Sequence, residues 1–442
     1  MKRKDFPKKF EWGIASSAYQ TEGAWNIDEK GPSIWDTFTN AKNFTEGNGN
    51  TATDFYHSYK EDILKIKDLN LSSFRFSISW SRIFPDGIGA PNPKGVAFYH
   101  AVIATCLEHK ITPWVTLYHW DLPQKLEEKG GWTNREILHW FAHYVEFCSL
   151  EYGDKVKNWM VLNEPMSYVG LGYFLGEHAP GKTGLQNFLP AAHHTVLCQA
   201  IGGKILRKNN KNACIGTTFS CSQVTPKNIL RRNLNAAKRL DALLNRFFIE
   251  PALGLGYPTE SLPGLKKIEK YFKPGDEELM QFDFDFIGIQ YYFRIVAHYS
   301  LFPPILFAKE IPATKRNVKT NTMGMEIYHK GLYKMLKKFS KYKGVKNIYI
   351  TEAGTCLEDS LKNGTINDKE RIKYFKKNFK QVLKAIDKGI KVKGYFIWTL
   401  VDNFEWAEGT KPRFGIIHND FKTQERRFKR SALWFQKFLS KD

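Results

Sequence analysis

The chain has 442 residues, of which 42% are hydrophobic and 25% charged, and it carries a formal net charge of +21. Those values are close to ordinary soluble usage and exclude a disordered tail protein or a fibrous one, while the length admits two or three domains or one large barrel. Aromatic residues reach 15%, a surplus suited to a large core or to a site that stacks ring-shaped ligands. The positive charge comes from 50 Lys and only 16 Arg, and 20 of the Lys lie between Lys309 and Lys393. Bidentate phosphate and base recognition favours Arg over Lys. The stretch from Lys376 to Lys384 sets Lys on one side of an amphipathic helix, with Phe379, Val382 and Leu383 on the other. The charge is therefore expected on solvated outer helices, with no nucleic-acid partner.

The six cysteines, Cys106, Cys148, Cys198, Cys214, Cys221 and Cys356, form no C-x-x-C pair and show no Cys/His spacing typical of zinc. They are expected to be reduced and mostly buried, and neither a metal nor a cofactor is expected. The basic start Met1-Lys-Arg-Lys-Asp5 is followed by no apolar run, which predicts no signal peptide and a cytoplasmic protein. No stretch approaches 18 apolar residues, so no membrane span is expected. Sequons at Asn43, Asn70 and Asn363 then carry no glycan.

In chain order, short apolar or β-branched runs recur at Phe10–Ala15, Ser73–Ser79, Thr112–Leu117, Lys157–Leu162, Cys214–Phe219, Phe284–Gln290, Asn347–Thr351 and Gly394–Leu400. Helical patterns lie between them, such as Phe55–Leu69 and Arg135–Tyr152. Runs apolar on both faces and separated by helices predict parallel strands covered by helices. Eight such units predict an α/β fold, a (β/α)8 TIM barrel forming a single domain over residues 1–442 with long βα loops. The longest irregular insert, from about Arg294 to Gly324, contains Pro303, Pro304 and Pro312 and is expected to form a lid or wall.

Barrel active sites assemble at the C-terminal ends of the strands. Those places hold Gln20 after the first run, His119 and Trp120 after the third, and Asn163 and Glu164 after the fourth. They hold Gln290 and Tyr292 at the sixth, Glu352 after the seventh, and Trp398, Glu405 and Trp406 at the eighth. Amides, acids, one His and several Trp at one rim suit a neutral, hydroxyl-rich ring: a sugar. Glu164 and Glu352 each follow a rigid strand directly. Two facing carboxylates are what glycoside cleavage needs, one to protonate the departing oxygen and one to attack the anomeric carbon or activate water.

Ordered motifs then make the family visible. They are Phe6-Pro-Lys-Lys-Phe-Glu-Trp-Gly-Ile-Ala-Ser-Ser-Ala-Tyr-Gln20, Phe74-Arg-Phe-Ser-Ile-Ser-Trp-Ser-Arg-Ile-Phe-Pro85, Tyr118-His-Trp-Asp-Leu-Pro123, Asn163-Glu-Pro165, Thr351-Glu-Ala-Gly354, Asn403-Phe-Glu-Trp406 and Arg413-Phe-Gly-Ile-Ile-His418. With these the chain resembles glycoside hydrolase family 1, the β-glucosidase-type retaining hydrolases, over almost its whole length. The resemblance implies Glu164 as general acid/base and Glu352 as nucleophile, with carboxyl groups ~5–5.5 Å apart. It implies that Arg75 and Tyr292 keep Glu352 ionised, and that the Glu352 charge raises Glu164. It further implies that Gln20, His119, Trp120, Asn163, Tyr292, Glu405 and Trp406 bind sugar, with Trp398 under the ring.

The chain departs from the family pattern at four places. Gln290 stands where Asn is usual, which is expected to disturb Tyr292 and the nucleophile's hydrogen bonds, and Ala353 replaces an Asn. Met166 and Met325 stand on the leaving-group side where many relatives carry Trp. Adaptable Met side chains there predict a weaker platform for a second sugar and a preference for apolar or aryl aglycones. Two other readings compete with a β-glucosidase. A 6-phospho-β-glycosidase suits the positive charge but conflicts with Glu405, whose carboxylate would repel a phosphate. A non-catalytic or weakly active sugar-binding member of the same fold conflicts with the retention of both glutamates.

Overall fold

The computed structural model describes residues 1–303, 305–362 and 364–440; Pro304 and the sequon residue Asn363 lie outside them. Eight parallel strands form the centre: β1 (Glu11–Ala15), β2 (Ser73–Ser77), β3 (Thr112–Tyr118), β4 (Asn158–Asn163), β5 (Cys214–Pro226), β6 (Phe286–Tyr299), β7 (Ile348–Ala353) and β8 (Val392–Trp398). Each pairs with its neighbours in sequence, and β8 returns to β1 in the register Glu11↔Gly394 to Ala15↔Trp398, which closes the barrel. All eight expected strands are present, and the long helices between them pack outside.

Aromatic side chains fill the barrel interior. Trp114 lies 5.1 Å from Phe396 and 5.5 Å from Phe286, ring centre to ring centre, with Ala15, Met160 and Trp398 in the same buried cluster. Such rings need room on the facing strands. A Cβ on Gly13 would stand 2.2 Å from the Phe396 ring, and one on Gly216 would stand 2.4 Å from Phe286. Glycine is the residue that lets the backbone approach these rings. A second, larger apolar cluster joins the outer faces of the strands to the helices, and the aromatic surplus is shared between the two.

The Lys-rich helix Lys369–Asp387 buries Phe375, Phe379 and Val382 and exposes Lys376, Lys377, Lys380 and Lys384, as its pattern predicts. Among the described residues no helix is long and apolar enough to cross a membrane. All six cysteines are free, and Cys214 alone of them is only partly buried.

The strands β5 and β6 differ from expectation. They run 13 and 14 residues and stay paired as far as Pro226↔Ala297, well past the rim of the other strands. The insert after the sixth run is therefore not irregular throughout. Arg294 lies inside β6, and a short strand Ala308–Glu310 pairs antiparallel with the end of β6. Glu326 then staples the returning chain, accepting from Arg294 at 2.6 and 3.0 Å and from Arg316 at 2.6 Å. The result is a fixed wall on one side of the barrel mouth.

Candidate active site

The C-terminal strand ends bring the expected polar residues together around Arg75. This guanidinium, fully buried in the middle of β2, donates to Thr116 Oγ1 on β3 at 3.1 Å, to Asn163 Oδ1 on β4, and to Glu352 Oε1 and the Thr351 carbonyl on β7. One rigid cation thus fixes three strand ends at once. Glu352 receives a further hydrogen bond on Oε2 from the Tyr292 hydroxyl at 2.7 Å. Tyr292 and Gln290 lie within β6 rather than past it, because that strand continues beyond the rim.

Glu164 stands where β4 turns into the helix Pro165–Tyr173. Its backbone adopts φ 46°, left-handed for a non-glycine residue, and Trp120 (φ 81°) and Trp406 (φ 51°) at the same mouth do likewise. Each such conformation costs on the order of 1–2 kcal/mol and persists only where surroundings enforce it. For Glu164 the enforcement includes its N–H, which donates to the Thr218 carbonyl at 3.0 Å, and Ser167 Oγ, which donates to Glu164 Oε2 at 2.8 Å. Trp120 is held by its indole N–H, 2.9 Å from the Asn163 carbonyl.

The two glutamates sit in different electrostatic settings. Burial pushes Glu164 up to about 8, the Glu352 charge pushes in the same direction, and Ser167 and Arg75 only partly oppose them. Burial also raises Glu352, but there Arg75 and Tyr292 both bind the carboxylate and pull it back toward the ionised form. On balance desolvation leaves Glu352 raised as well, and what separates the two acids is the direct cation on one and its lack on the other.

A hydrogen-bond relay sets the orientation of His119. Asn163 Oδ1 accepts from Arg75, from Gln290 Nε2 at 2.7 Å and from Thr218 Oγ1 at 3.0 Å, so its other amide atom is the NH2. That NH2 lies 2.9 Å from His119 Nε2, which must accept. His119 is neutral, lowered well below the usual histidine value by burial and by Arg75, so its proton is on Nδ1. Among the described residues the buried His119 Nδ1 has no hydrogen-bond partner.

Gln20 Nε2 donates to the Phe404 carbonyl at 3.0 Å and to Glu405 Oε2 at 3.3 Å, while Ser17 fixes its Oε1 at 2.7 Å. Burial and the Glu352 charge raise Glu405 to about 8. Trp406 packs on Trp120 at 4.4 Å, and His119 stacks between Trp398 (6.1 Å) and Trp406 (5.9 Å).

Gln290 does not disturb Tyr292, whose bond to Glu352 is intact; its amide instead reaches across to Asn163 and Thr218. Met166 lines an apolar cavity beside Ser167, and the partly buried Met325 packs against the cluster that includes Trp398 and Phe414. Thr218, Thr116 and Ser167 were not foreseen. For Ser167 a signal existed: Pro165 marks the first position of a helix, which puts Ser167 one turn from Glu164.

Comparison with known proteins agrees with this geometry. The model of glycosyl hydrolase family 1 matches residues 2–442. Beta-glucosidase A of Acetivibrio thermocellus is 40% identical over 444 residues, 99% of each chain, and beta-glucosidase A of Thermotoga maritima is 39% identical over 439 residues, 98% of each. The solved structure of a beta-glucosidase from Thermotoga maritima in complex with deoxynojirimycin, 38% identical, superposes with a TM-score of 0.94 over 98% of each chain. An enzyme from Alicyclobacillus herbarius, 35% identical, superposes at 0.95 over 98% of this chain and 97% of its own. With two buried glutamates at the ends of β4 and β7 of a closed parallel barrel, this chain belongs to glycosyl hydrolase family 1.

Proposed function

We propose that residues 1–442 act as one catalytic unit, a retaining β-glucosidase that releases terminal β-linked glucose by double displacement. The observation that carries the mechanism is the contrast between Glu352, bound directly by Arg75 and Tyr292, and Glu164, raised to about 8 without a comparable cation. In the first step Glu352 attacks the anomeric carbon, the bond to the glycosidic oxygen breaks, and Glu164 gives that oxygen its proton. Esterification removes the Glu352 charge and with it one cause of the raised Glu164 value. Glu164, now a carboxylate, takes a proton from water as the water attacks the anomeric carbon, and Glu352 is released.

Within this reading Gln20, His119, Asn163, Glu405 and Trp406 hold the sugar hydroxyls, and Trp398 supports the ring. Trp120 keeps Asn163 in place. His119 Nε2 orients the Asn163 amide, which serves the 2-hydroxyl, where hydrogen bonds strengthen in the transition state. A 6-phosphorylated sugar is disfavoured. Its phosphate would face the Glu405 carboxylate, and the nearest cations in sequence are engaged elsewhere, Lys411 by Glu46 and Arg413 by Asp402 and the Asn419 carbonyl. No cofactor enters the reaction, and the cytoplasm is the proposed compartment.

Proton NMR during hydrolysis of an aryl β-glucoside tests the stereochemistry. The first sugar released is β-glucose, which mutarotates later; α-glucose as the first product would overturn the double displacement.

A further inference from the structure

The cavity beside Glu164 has a volume of about 380 Å³, within the range of small-molecule sites. Its inner wall is one residue removed from both glutamates. Ser167, which donates to Glu164, and its neighbour Met166 line one side; Phe293, next to the Tyr292 that binds Glu352, lines the other. Farther out the walls are aliphatic, with Leu240, Leu244 and Leu306 among them, and Leu175 at the mouth is 51% exposed. The outer wall is fastened from outside: Arg239 donates to the carbonyls of Leu306 and Phe307. The few polar groups inside are hydroxyls and a thiol, and the Cys221 thiol already donates to the Gln290 carbonyl at 3.3 Å.

A second sugar would bring several hydroxyls into this space and find few partners, and each buried polar group left unpaired costs binding. An alkyl or isoprenoid chain would find the reverse. Resting on the reading of Glu164 as the general acid, which puts the leaving group beside it, we propose that the cavity receives the aglycone. The natural substrates are then amphiphilic β-glucosides whose aglycone is an extended aliphatic chain, not cello-oligosaccharides.

A series of alkyl β-glucosides from methyl to octyl, compared with cellobiose and an aryl β-glucoside, tests this on the unmodified protein. The expected result is kcat/KM rising up to roughly fourfold per added methylene from butyl to octyl, on the scale of the transfer of a CH2 group out of water, with cellobiose well below octyl glucoside. A flat series, or cellobiose preferred, alongside normal aryl glucoside turnover overturns the aglycone assignment alone. No turnover of any β-glucoside overturns the proposed function as well. Gly170→Leu gives a second reading. Gly170 lines the cavity from the helix after Glu164, and a Cβ there would meet only the Met166 sulfur at 3.3 Å, a flexible neighbour. The variant loses most of the octyl advantage over methyl glucoside; an unchanged octyl-to-methyl ratio would contradict the assignment.

Discussion

Arg75 is the residue on which the chemistry of the mouth depends, because one guanidinium binds the Glu352 carboxylate and the Asn163 amide that orients His119. Its cation is what leaves Glu164, lacking a direct counter-ion, as the acid that keeps its proton. Activity should therefore fall as pH rises through about 8, where Glu164 arrives without its proton, and fall again in acid where Glu352 gains one. The two values are coupled. In Glu352→Gln the charge that helps raise Glu164 is gone, and an NMR titration of labelled glutamate should find Glu164 below its wild-type position. Titration unchanged from wild type would show that burial alone sets the value. These two carboxylates were legible from sequence because each closes an apolar run, whereas Thr218, a small hydroxyl of common type, gave no comparable contrast with its neighbours.

The loop after β8 is the element that carries Glu405 and Trp406, and its base is tied by buried charges. Lys429, just before the helix Arg430–Leu439, donates to Asp402 at 2.7 Å and also to Asp359, with side-chain exposures of at most 1%. Arg371 on the helix Lys369–Asp387 holds Asp359 at 2.9 Å and also Asp368, and Asp402 accepts the Gly415 N–H at 2.9 Å. Removing one partner from such a set leaves uncompensated buried charge. Lys429→Met should lower unfolding free energy by about 3–5 kcal/mol, read from denaturant midpoints; a change under about 0.5 kcal/mol would mean that the network does not hold the loop. None of this pairing is visible in sequence, where Asp359, Asp402 and Lys429 are separated by tens of residues and look like ordinary surface charges. The lengths of β5 and β6 were hidden for a related reason. Their outer halves mix Ser222, Gln223 and Arg294 among apolar residues, and only pairing with each other keeps them extended.

For the molecule as a whole, the barrel was readable because its repeating unit is local: an apolar run, a loop, an amphipathic helix. The net charge of +21 sits to a large extent on outer helices such as Lys369–Asp387, while the mouth gathers Glu164, Glu352 and Glu405. A neutral sugar fits that division, with the outer cations serving solubility. Its aliphatic cavity was foreshadowed by Met166. In the double displacement Glu352 forms a covalent bond to the sugar. Incubation with a 2-deoxy-2-fluoro β-glucoside bearing a good leaving group, followed by peptide mass mapping, tests it directly. One fluoroglucosyl group is expected on the peptide containing Glu352, with loss of activity in step with labelling; label on a different residue, or turnover of aryl β-glucosides with no covalent adduct, would rule out Glu352 as the nucleophile.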